Sequence, residues 1–541
     1  MRNNSSARER LGKFCALAAA INCLLFSGFA TANQPVADAA QRGNFDDIVG
    51  LIAAGEDVNA AHADGTTALL WAAYQSDVEM VTALLGAGAD PDAVNEFGIT
   101  ALMQAARQGD TPVLRALLDG GADVNTTSAN GETLLMAAAR AGSVDSVQLL
   151  LDRGVDPNAF ESLQHQTALM WATAEKHLDV VDVLLDNGAD PNLQARETTL
   201  EKRSSRTDFP SGGFAALHWA AREADMPMTQ RLLEGGADIN ITNADGASAM
   251  IIAIVNDRFD YAAQLLELGA DANDGSLYQA VLMRDATTDW YAKDGTQLRA
   301  DHPNELTALD LTRILLDAGA DPNKPFIGQL HSASMCCDTK ENATPMFRAA
   351  IAGDVEGMKL LLEHGGDLEW RPQAAEGEEA PAGPFGNRNL GKTPLMVAMN
   401  GGRGVGMSGG PGDVRDGAPA PFREVSNREP VDAMRVLLEA GADPDAVTDE
   451  GQAAIHMAAE GGLSEIVALL AEYDATLDLA DNDGKTPLSI VEAQEPREEG
   501  PDLGALVDRR KRAQPAAIAA QLRELMGMSS AQASLQEAQS L

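Results

Sequence analysis

Residues 64–92 read DGTTALLWAAYQSDVEMVTALLGAGADPD, and this stretch contains the pattern that decides the fold. Thr67 stands before a short apolar run and can cap the first turn of a helix that ends near Gln75. A second helix is predicted over 78–87, because its apolar residues recur at helical spacing on one face. Those residues are Met80, Val81, Leu84 and Leu85. Gly88 then suits the left-handed conformation that ends a helix.

The same pattern recurs along the chain. A Gly followed two residues later by Asp is found with the Gly at 55, 88, 121, 154, 188, 236, 269, 319, 365 and 441. A marker equivalent to Thr67 is found at 67, 100, 133, 167, 215, 248, 344, 393 and 453. The first three steps between glycines are each 33 residues, and in most copies the marker lies 21 residues before its Gly. A constant length predicts a packed unit, because residues in contact with neighbours cannot be inserted freely.

The distance from each Gly to the next marker varies, so this part of the unit must project as a loop. Two units are also lengthened between their helices, since Ser276 and Thr393 lie 43 and 48 residues before their glycines. The predicted insertions are 196–212, 286–306, 324–341, 371–390 and 401–428. The Gly- and Pro-rich composition of the last one predicts a mobile loop. In the second, the adjacent aromatics of Asp289-Trp290-Tyr291 indicate either local packing or a contact surface.

A helix, turn, helix and projecting finger cannot bury an apolar face alone, so successive units must stack. The fold predicted from the repeat is therefore an all-α solenoid of helix-turn-helix units with projecting β-turn fingers.

The repeats resemble the ankyrin-repeat family. The strings that carry the resemblance are DGTTALLWAA from Asp64, GGFAALHWAA from Gly212 and GKTPLM from Gly391, together with the many LLxxGADxN endings. It spans about 36–492, with eleven repeats and a partial one at Thr486-Pro487-Leu488. We therefore assign 33–494 to the repeat domain. The resemblance implies a non-catalytic scaffold that binds a protein partner along the concave and finger surface of the stack.

Residues 1–32 have the pattern of a signal peptide. A basic start with four Arg or Lys residues precedes the apolar run 14–30, and Ala30-Thr31-Ala32 supplies a cleavage site. We expect a periplasmic or secreted protein, with no membrane insertion after signal cleavage. The alternative is an uncleaved segment that anchors the chain to the inner membrane, since the apolar run is close to the minimum length of a span.

The C-terminal part, 495–541, is predicted to contain a helix from Pro515 and then a disordered tail. Ile518, Leu522, Leu525 and Met526 form a narrow apolar stripe on this helix. We interpret it as a cap over the last repeat, with docking onto a partner as the alternative. The basic cluster 509–512 is expected to fold back onto the acidic surface.

The charge balance selects the class of partner. Lys and Arg number 40 against 81 Asp and Glu, which gives a net charge of −41. Such a surface repels phosphate backbones, so nucleic acid is excluded as a partner. We expect a monomer that binds a protein partner with a basic patch.

The sequence contains no metalloprotease, serine-hydrolase, phosphate-loop or haem-attachment motif, so we predict that the chain is not an enzyme and uses no cofactor. The adjacent Cys336 and Cys337, with His331 nearby, are weak candidates for metal ligands. A vicinal disulfide or two free thiols are the other interpretations of the pair. The alternative function is thus a metal-binding or redox accessory protein that acts through this insertion.

Residues seven or eight positions after each marker, or shortly before it, are predicted to face a partner. The set is Tyr74, Phe97, Arg107, Arg140, Glu175, Phe214 and Arg222. The arginines have an equally supported alternative role, which is to balance nearby carboxylates. Three tryptophans, Trp71, Trp171 and Trp219, follow their markers by four residues and are predicted to lie in the core between repeats.

Overall fold

A computed structural model describes residues 34–199, 210–285, 304–328, 341–372, 389–399, 429–495 and 512–527. It divides into two compact units, Met1–Ala189 and Asp190–Leu541. Both are built from helix pairs, so the prediction of an all-α repeat solenoid is confirmed.

In its described residues, the first unit contains five helix pairs. They are α1 (Pro35–Gln41) with α2 (Phe45–Ala53), α3 (Ala68–Tyr74) with α4 (Val78–Gly86), α5 (Ala101–Gln108) with α6 (Thr111–Asp119), α7 (Leu134–Ala141) with α8 (Val144–Asp152), and α9 (Ala168–Ala174) with α10 (Leu178–Asp186). The predicted bounds of the second helix at 78–87 are thus correct to one residue.

Seven helix pairs are described in the second unit. They are α11 (Ala216–Glu223) with α12 (Met226–Glu234), α13 (Ala249–Val255) with α14 (Phe259–Glu267), α15 (Ser276–Asp285) with α16 (Ala308–Asp317), α17 (Pro345–Ala352) with α18 (Val355–Glu363), α19 (Pro394–Ala398) with α20 (Pro430–Glu439), α21 (Ala454–Gly461) with α22 (Ser464–Glu472), and α23 (Pro487–Glu492) with α24 (Pro515–Leu525). The predicted insertions 286–306 and 401–428 fall between α15 and α16 and between α19 and α20, mostly outside the described residues.

Helices of the same kind pack together within each unit. In the first unit, α3 contacts α1 and α5, whereas α4 contacts α2 and α6. The core consists of the apolar side of both helices, as in α3, where Leu69 and Ala73 are buried, and in α4, where Leu84 is buried. Each large aliphatic side chain buried in this way contributes about 1.5–3 kcal/mol. The stacking contacts therefore carry the stability.

The ends of the helices lie at the marker residue and at the Gly of the repeat. The hydroxyl of Thr67 accepts a hydrogen bond from the amide of Leu70 at 3.3 Å, and the threonines at 100, 133 and 167 cap their helices in the same way. Gly88 has a φ of 89°, a conformation that favours glycine and ends the second helix. Both predictions for these positions are confirmed.

The prediction that Trp71, Trp171 and Trp219 lie in the core is wrong. All three are half-buried, whereas the residues one, two, three, five and six positions after the marker are buried. A helix of seven or eight residues buries only one side, and the fourth position faces away from it. These indole rings are therefore only partly covered by the stack, although the Nε1 atoms of Trp171 and Trp219 are buried.

Two of the predicted insertions have a short strand at each end, and in each insertion these two strands pair in an antiparallel manner. Strand β1 (Glu197–Thr199) pairs with β2 (Pro210–Gly212), and β3 (Phe326–Gly328) pairs with β4 (Glu341–Ala343). Segments of three residues are too short to show strand periodicity, which explains why the sequence indicated only loops.

In several repeats, an Asn four residues after the Gly of the Gly-x-Asp pattern links the repeat to its neighbour. In the first unit, Nδ2 of Asn59 donates to the carbonyl of Gly88 at 3.1 Å, and its Oδ1 accepts from the amide of Asp90 at 2.7 Å. Asn192, Asn273 and Asn323 make the same two bonds in the second unit. Asp92 occupies this position in the next repeat and accepts from the amide of Asp123 at 2.8 Å. A carboxylate cannot donate, so half of the link is lost there.

A buried ion pair joins two repeats of the second unit. The guanidinium of Arg284, on α15, forms two bonds to the carboxylate of Asp354, which caps α18, and one of them is 2.8 Å long. Both side chains are almost fully buried. Removal of one partner would leave an uncompensated charge, which costs about 3–5 kcal/mol.

Helix α24 packs against α22 and α23, in the position of a second helix beside its first helix. Ile518 and Leu522 are fully buried, and Gln521 bonds both the hydroxyl and the carbonyl of Ser464 at 2.7 and 2.9 Å. Its covering position over the last repeat is the one expected of a cap. Within the described part of the chain, no helix is both long and apolar enough to cross a membrane.

The substitution Asp92→Asn should stabilise the first unit by about 0.5–1 kcal/mol, because an amide can restore the missing donor to the following repeat. The reciprocal change Asn192→Asp should lower the stability of the second unit by a similar amount. Urea unfolding followed by circular dichroism measures both effects.

The control is Glu56→Gln, which removes one charge from an exposed finger residue without a described side-chain hydrogen bond. If Glu56→Gln raises the free energy of unfolding as much as Asp92→Asn does, the effect of Asp92→Asn comes from the lost charge and not from the restored hydrogen-bond donor.

Candidate functional site

The candidate site is the surface formed by the ends of the first helices and by the fingers, which we call the recognition face. Its predicted members are Tyr74, Phe97, Arg107, Arg140 and Glu175 in the first unit, with Phe214 and Arg222 in the second. Position seven of a repeat falls at the end of the first helix, where the stack no longer covers the side chain.

Tyr74 ends α3 and is 57% exposed. Its ring stands edge-on to Trp71 at 5.9 Å between centroids. Trp71 in turn donates from Nε1 to Nδ1 of His62 at 3.2 Å, and the other ring nitrogen of His62 lies 3.2 Å from the carboxylate of Asp38. This chain of contacts orients Trp71, and Tyr74 packs edge-on against it.

Phe97 lies on a finger and is 65% exposed. Three further large apolar side chains, Val94, Phe160 and Leu163, are also exposed on fingers of the first unit. The sequence analysis missed these three, although apolar residues inside a turn segment were a usable signal. Backbone bonds tie neighbouring fingers together, as from the amide of Glu96 to the carbonyl of Asp64 at 2.8 Å.

Arg107 pairs with Glu132 of the next repeat at 2.5 Å. Arg140 lies 3.9 Å from Glu175 and stacks over the ring of Trp171, with its guanidinium carbon 4.8 Å from the centroid. Exposed ion pairs contribute about 0–1 kcal/mol and exposed cation–π contacts about 0.5–1 kcal/mol. Arg140 balances a carboxylate at a contribution small enough to leave it available for a partner, whereas Arg107 pairs with a Glu132 side chain that is only 12% exposed.

The second unit has a comparable cluster. The ring of Phe214 stacks on His218 at 5.4 Å and meets Trp219 edge-on at 5.5 Å. The guanidinium of Arg222 lies 4.7 Å from the centroid of the Trp219 ring and 3.3 Å from Glu223. The structure thus brings together Phe214 and Arg222, which the sequence analysis named, around a Trp that it had placed in the core.

His218 is a structural member of this cluster. Its Nδ1 accepts from the amide of Ala215 at 2.9 Å, and Nε2 lies 3.2 Å from the carbonyl of Ile241. Burial lowers the pKa of His218 to about 4, because the charged imidazolium is costly away from water. The neutral ring holds the start of α11 to the following finger.

The candidate metal or redox residues Cys336, Cys337 and His331 lie outside the described residues, as do Trp290 and Tyr291. In the part of the chain that the structure describes, no three His, Cys, Asp or Glu side chains are grouped to hold a metal ion.

Comparison with known families gives a match over more than half of the chain. The family model described as "Ankyrin repeats (3 copies)" matches residues 36–128, 102–195, 200–276 and 423–494. Ankyrin repeat proteins are generally scaffolds for protein–protein interaction, and their repeat domains are typically non-catalytic modules.

Individual relatives are distant. The chain is 26% identical to the E3 ubiquitin-protein ligase KEG of Arabidopsis thaliana over 208 residues, which are 37% of this chain and 9% of KEG. It is 28% identical to human Ankyrin repeat and SOCS box protein 16 over 187 residues, or 34% of this chain and 37% of that protein. The chain therefore spans far less than two thirds of either relative.

Solved ankyrin repeat domains match with similar identity. The domain of Bcl-3, described as a unique member of the IkappaB protein family, is 27% identical to this chain, with a TM-score of 0.37. The match covers 44% of this chain and 99% of the Bcl-3 chain. The domain of human ASB11 is 26% identical with a TM-score of 0.35, and covers 40% and 91%.

The buried His218 predicts a pH dependence of stability. A pKa of about 4 in the folded chain, below the ordinary 6.5, means that the unfolded chain binds the proton more tightly. The contribution of His218 to the free energy of unfolding should therefore be complete above pH 6.5. As the pH falls from 6.5 to 4, this contribution should be lost at about 1.4 kcal/mol per pH unit.

Nuclear magnetic resonance titration of the His218 ring measures this pKa directly, and the variant His218→Gln identifies its signal. The variant should also lose the corresponding slope of stability with pH. A ring that titrates at its ordinary pKa of 6.5 would contradict the burial described above.

Proposed function

Because the chain belongs to the ankyrin-repeat family, we propose that it is a non-catalytic scaffold, exported from the cytoplasm, that binds a protein partner through the recognition face. The proposal extends the general role of the family to this surface and to an exported location, periplasmic or secreted.

One observation carries the proposal. Nine large hydrophobic residues are exposed in the described part of the chain, and five lie on the fingers or first helices of the first unit. They are Tyr74, Val94, Phe97, Phe160 and Leu163. These apolar side chains are exposed on fingers and a first-helix end of the same unit, where a partner could contact several of them, and aromatic residues most often supply the binding energy.

Charge determines the kind of partner. The net charge of −41 surrounds these apolar residues with carboxylates, such as Glu96 beside Phe97. A partner with an apolar patch bordered by Lys and Arg complements both features, and the field accelerates encounter at low salt. Arg107 and Arg140 would then anchor acidic groups of the partner locally.

The proposal of export is based on the sequence pattern of residues 1–32, which lie outside the described residues. Cleavage after Ala32 predicts Asn33 as the first residue of the mature chain, which intact-mass measurement of protein from its native envelope would detect. Detection of Met1 or of the whole leader would favour the membrane-anchored alternative.

The double substitution Phe97→Ser and Phe160→Ser should reduce partner capture from the native envelope by at least tenfold, because each removes an exposed apolar anchor. Capture should also weaken as salt is raised. Charge reversal at Arg107, Arg140 and Arg222 should reduce capture as well, with the thermal transition almost unchanged.

The matched control is Val447→Ser. Val447 occupies the same finger position as Phe160, since each forms an isolated bridge to the marker residue of its repeat, but Val447 is the single exposed large apolar finger residue described in the second unit. Capture that is insensitive to the phenylalanines would contradict the proposed site, and equal sensitivity to Val447→Ser would show that the contact is not centred on the fingers of the first unit.

A further inference from the structure

His62 lies beside the aromatic pair of Trp71 and Tyr74 and uses both of its ring nitrogens. Nδ1 accepts a hydrogen bond from Nε1 of Trp71 at 3.2 Å, and Nε2 lies 3.2 Å from the carboxylate of Asp38. The side chain of His62 is 18% exposed, whereas that of Asp38 is 50% exposed. The imidazole therefore joins α1 to α3 through the finger that precedes α3.

The finger does not need this imidazole for its own turn. The same position in the next repeat, five residues before the marker, is Asn95, whose Oδ1 accepts from two amides of its own finger. In the finger of His62, the backbone bond from His62 to Thr66 closes the turn, and the carboxylate of Asp64 accepts from the amide of Thr66. The ring of His62 is thus used for contacts with two helices rather than for the local turn.

The two contacts define the protonation state of the ring. An indole N–H can only donate, so Nδ1 of His62 carries no proton while it accepts from Trp71. Nε2 then carries the one proton of the neutral ring and donates it to the carboxylate of Asp38. The described arrangement therefore belongs to the neutral form of His62.

The charged and titratable groups around this imidazole come from four elements. From α1, the carboxylate of Asp38 contacts the ring directly. On the same finger, Asp64 bonds a backbone amide, and the next finger carries the exposed Glu96. Helix α3 contributes the ring contact of Trp71 and, beyond it, the phenol of Tyr74. Among the residues that the structure describes, Asp38 is thus the one charged side chain in contact with the ring.

A second proton on His62 changes the two contacts in opposite ways. A doubly protonated imidazole has two N–H donors and no acceptor. It keeps the contact with Asp38 as a charge-assisted bond, but it loses the bond from Trp71, because two donors then face each other. The indole must turn or shift to find another acceptor, and Tyr74 packs edge-on against this indole. Protonation therefore reaches the recognition face through two successive contacts.

We propose that His62 makes the recognition face responsive to pH. The neutral ring holds Trp71 and Tyr74 in the described arrangement, and the protonated ring releases them. Histidine suits this role because it is the side chain that ordinarily changes its charge between pH 5 and 8. The inference rests on the proposed function, since it concerns the regulation of the same surface, and it makes binding through Tyr74 weaker in acid than at neutral pH.

Fluorine magnetic resonance of the full mature chain tests the coupling without any partner. One sample carries fluorotryptophan and another fluorotyrosine; the chain has five residues of each type, and Trp71→Phe and Tyr74→Phe identify the two signals. We expect both signals to shift with one midpoint as the pH falls from about 7.5 to about 5.5. Both shifts should vanish in His62→Gln, because the Gln amide oxygen can accept from Trp71 but takes up no proton. Signals that move equally in wild type and His62→Gln, or that move in neither, would overturn the proposal.

Two controls separate this coupling from a general effect of acid. Trp171 follows its marker by four residues, as Trp71 does, but its described ring contact is with Arg140, so its response to pH should be the same in His62→Gln as in wild type. The matched variant is His165→Gln, at another half-buried finger histidine, whose ring lies 4.7 Å from that of Phe160. If His165→Gln abolishes the response of Trp71 as fully as His62→Gln does, the coupling does not pass through His62. Far-ultraviolet circular dichroism at both pH values reports whether each variant is folded.

Partner capture at the two pH values separates this inference from the proposed function. Capture by the wild-type chain should fall by about threefold to tenfold in acid, the factor that one hydrogen bond accounts for, and His62→Gln should remove the difference. If capture needs Phe97 and Phe160 but has the same pH dependence in wild type and His62→Gln, this inference fails and the proposed function stands. If capture does not need the two phenylalanines, the proposed site fails, while the fluorine signals still decide the role of His62.

Discussion

A pair of short helices cannot cover its own apolar side, and this constraint shapes the whole chain. Leu84 of α4 and Leu114 of α6 are fully buried, because the second helices of neighbouring repeats pack against each other. Each repeat thus completes its core with residues of the next one, and its length between marker and Gly is fixed by both neighbours. Deletions within either helix would disturb two interfaces at once, whereas insertions in the fingers, or between the two helices as after α15 and α19, leave the packed helices intact.

The same constraint divides the residues of a repeat into those that stabilise the stack and those that remain outside the packed surface. Alanines at the fifth and sixth positions of a first helix must stay small, since they lie between stacked helices. The seventh position lies beyond the packed surface, and there the chain carries Tyr74, Arg107, Arg140 and Arg222. Their ion pairs and ring contacts are individually weak, so under the proposed function variation at this position would change what the surface binds with little effect on the fold.

Much of this arrangement could be predicted from the sequence, because it depends on local signals. The Thr67 marker, the apolar spacing of α4 and the left-handed Gly88 each act within one repeat, and all three predictions are confirmed. What failed depended on more distant partners. The burial of Arg284 requires Asp354, seventy residues later, and the pattern alone places any apolar Trp in the core. The sequence analysis named the arginines of the candidate site but not Glu132 or the exposed Phe160, since the register between a first helix and the next finger emerges only after stacking.

The central claim is that each repeat is stabilised by its immediate neighbours, so that the surface is a row of interchangeable units. Deletion of residues 101–133, which removes α5 and α6, places Leu134 directly after Thr100 and so preserves the marker of the following repeat. Hydrogen exchange followed by mass spectrometry is the most direct test of this variant. The account predicts that α3, α4, α7 and α8 keep their protection in the shortened unit. Loss of protection throughout the first unit would show that its stability depends on contacts beyond the nearest repeat, and would contradict the account.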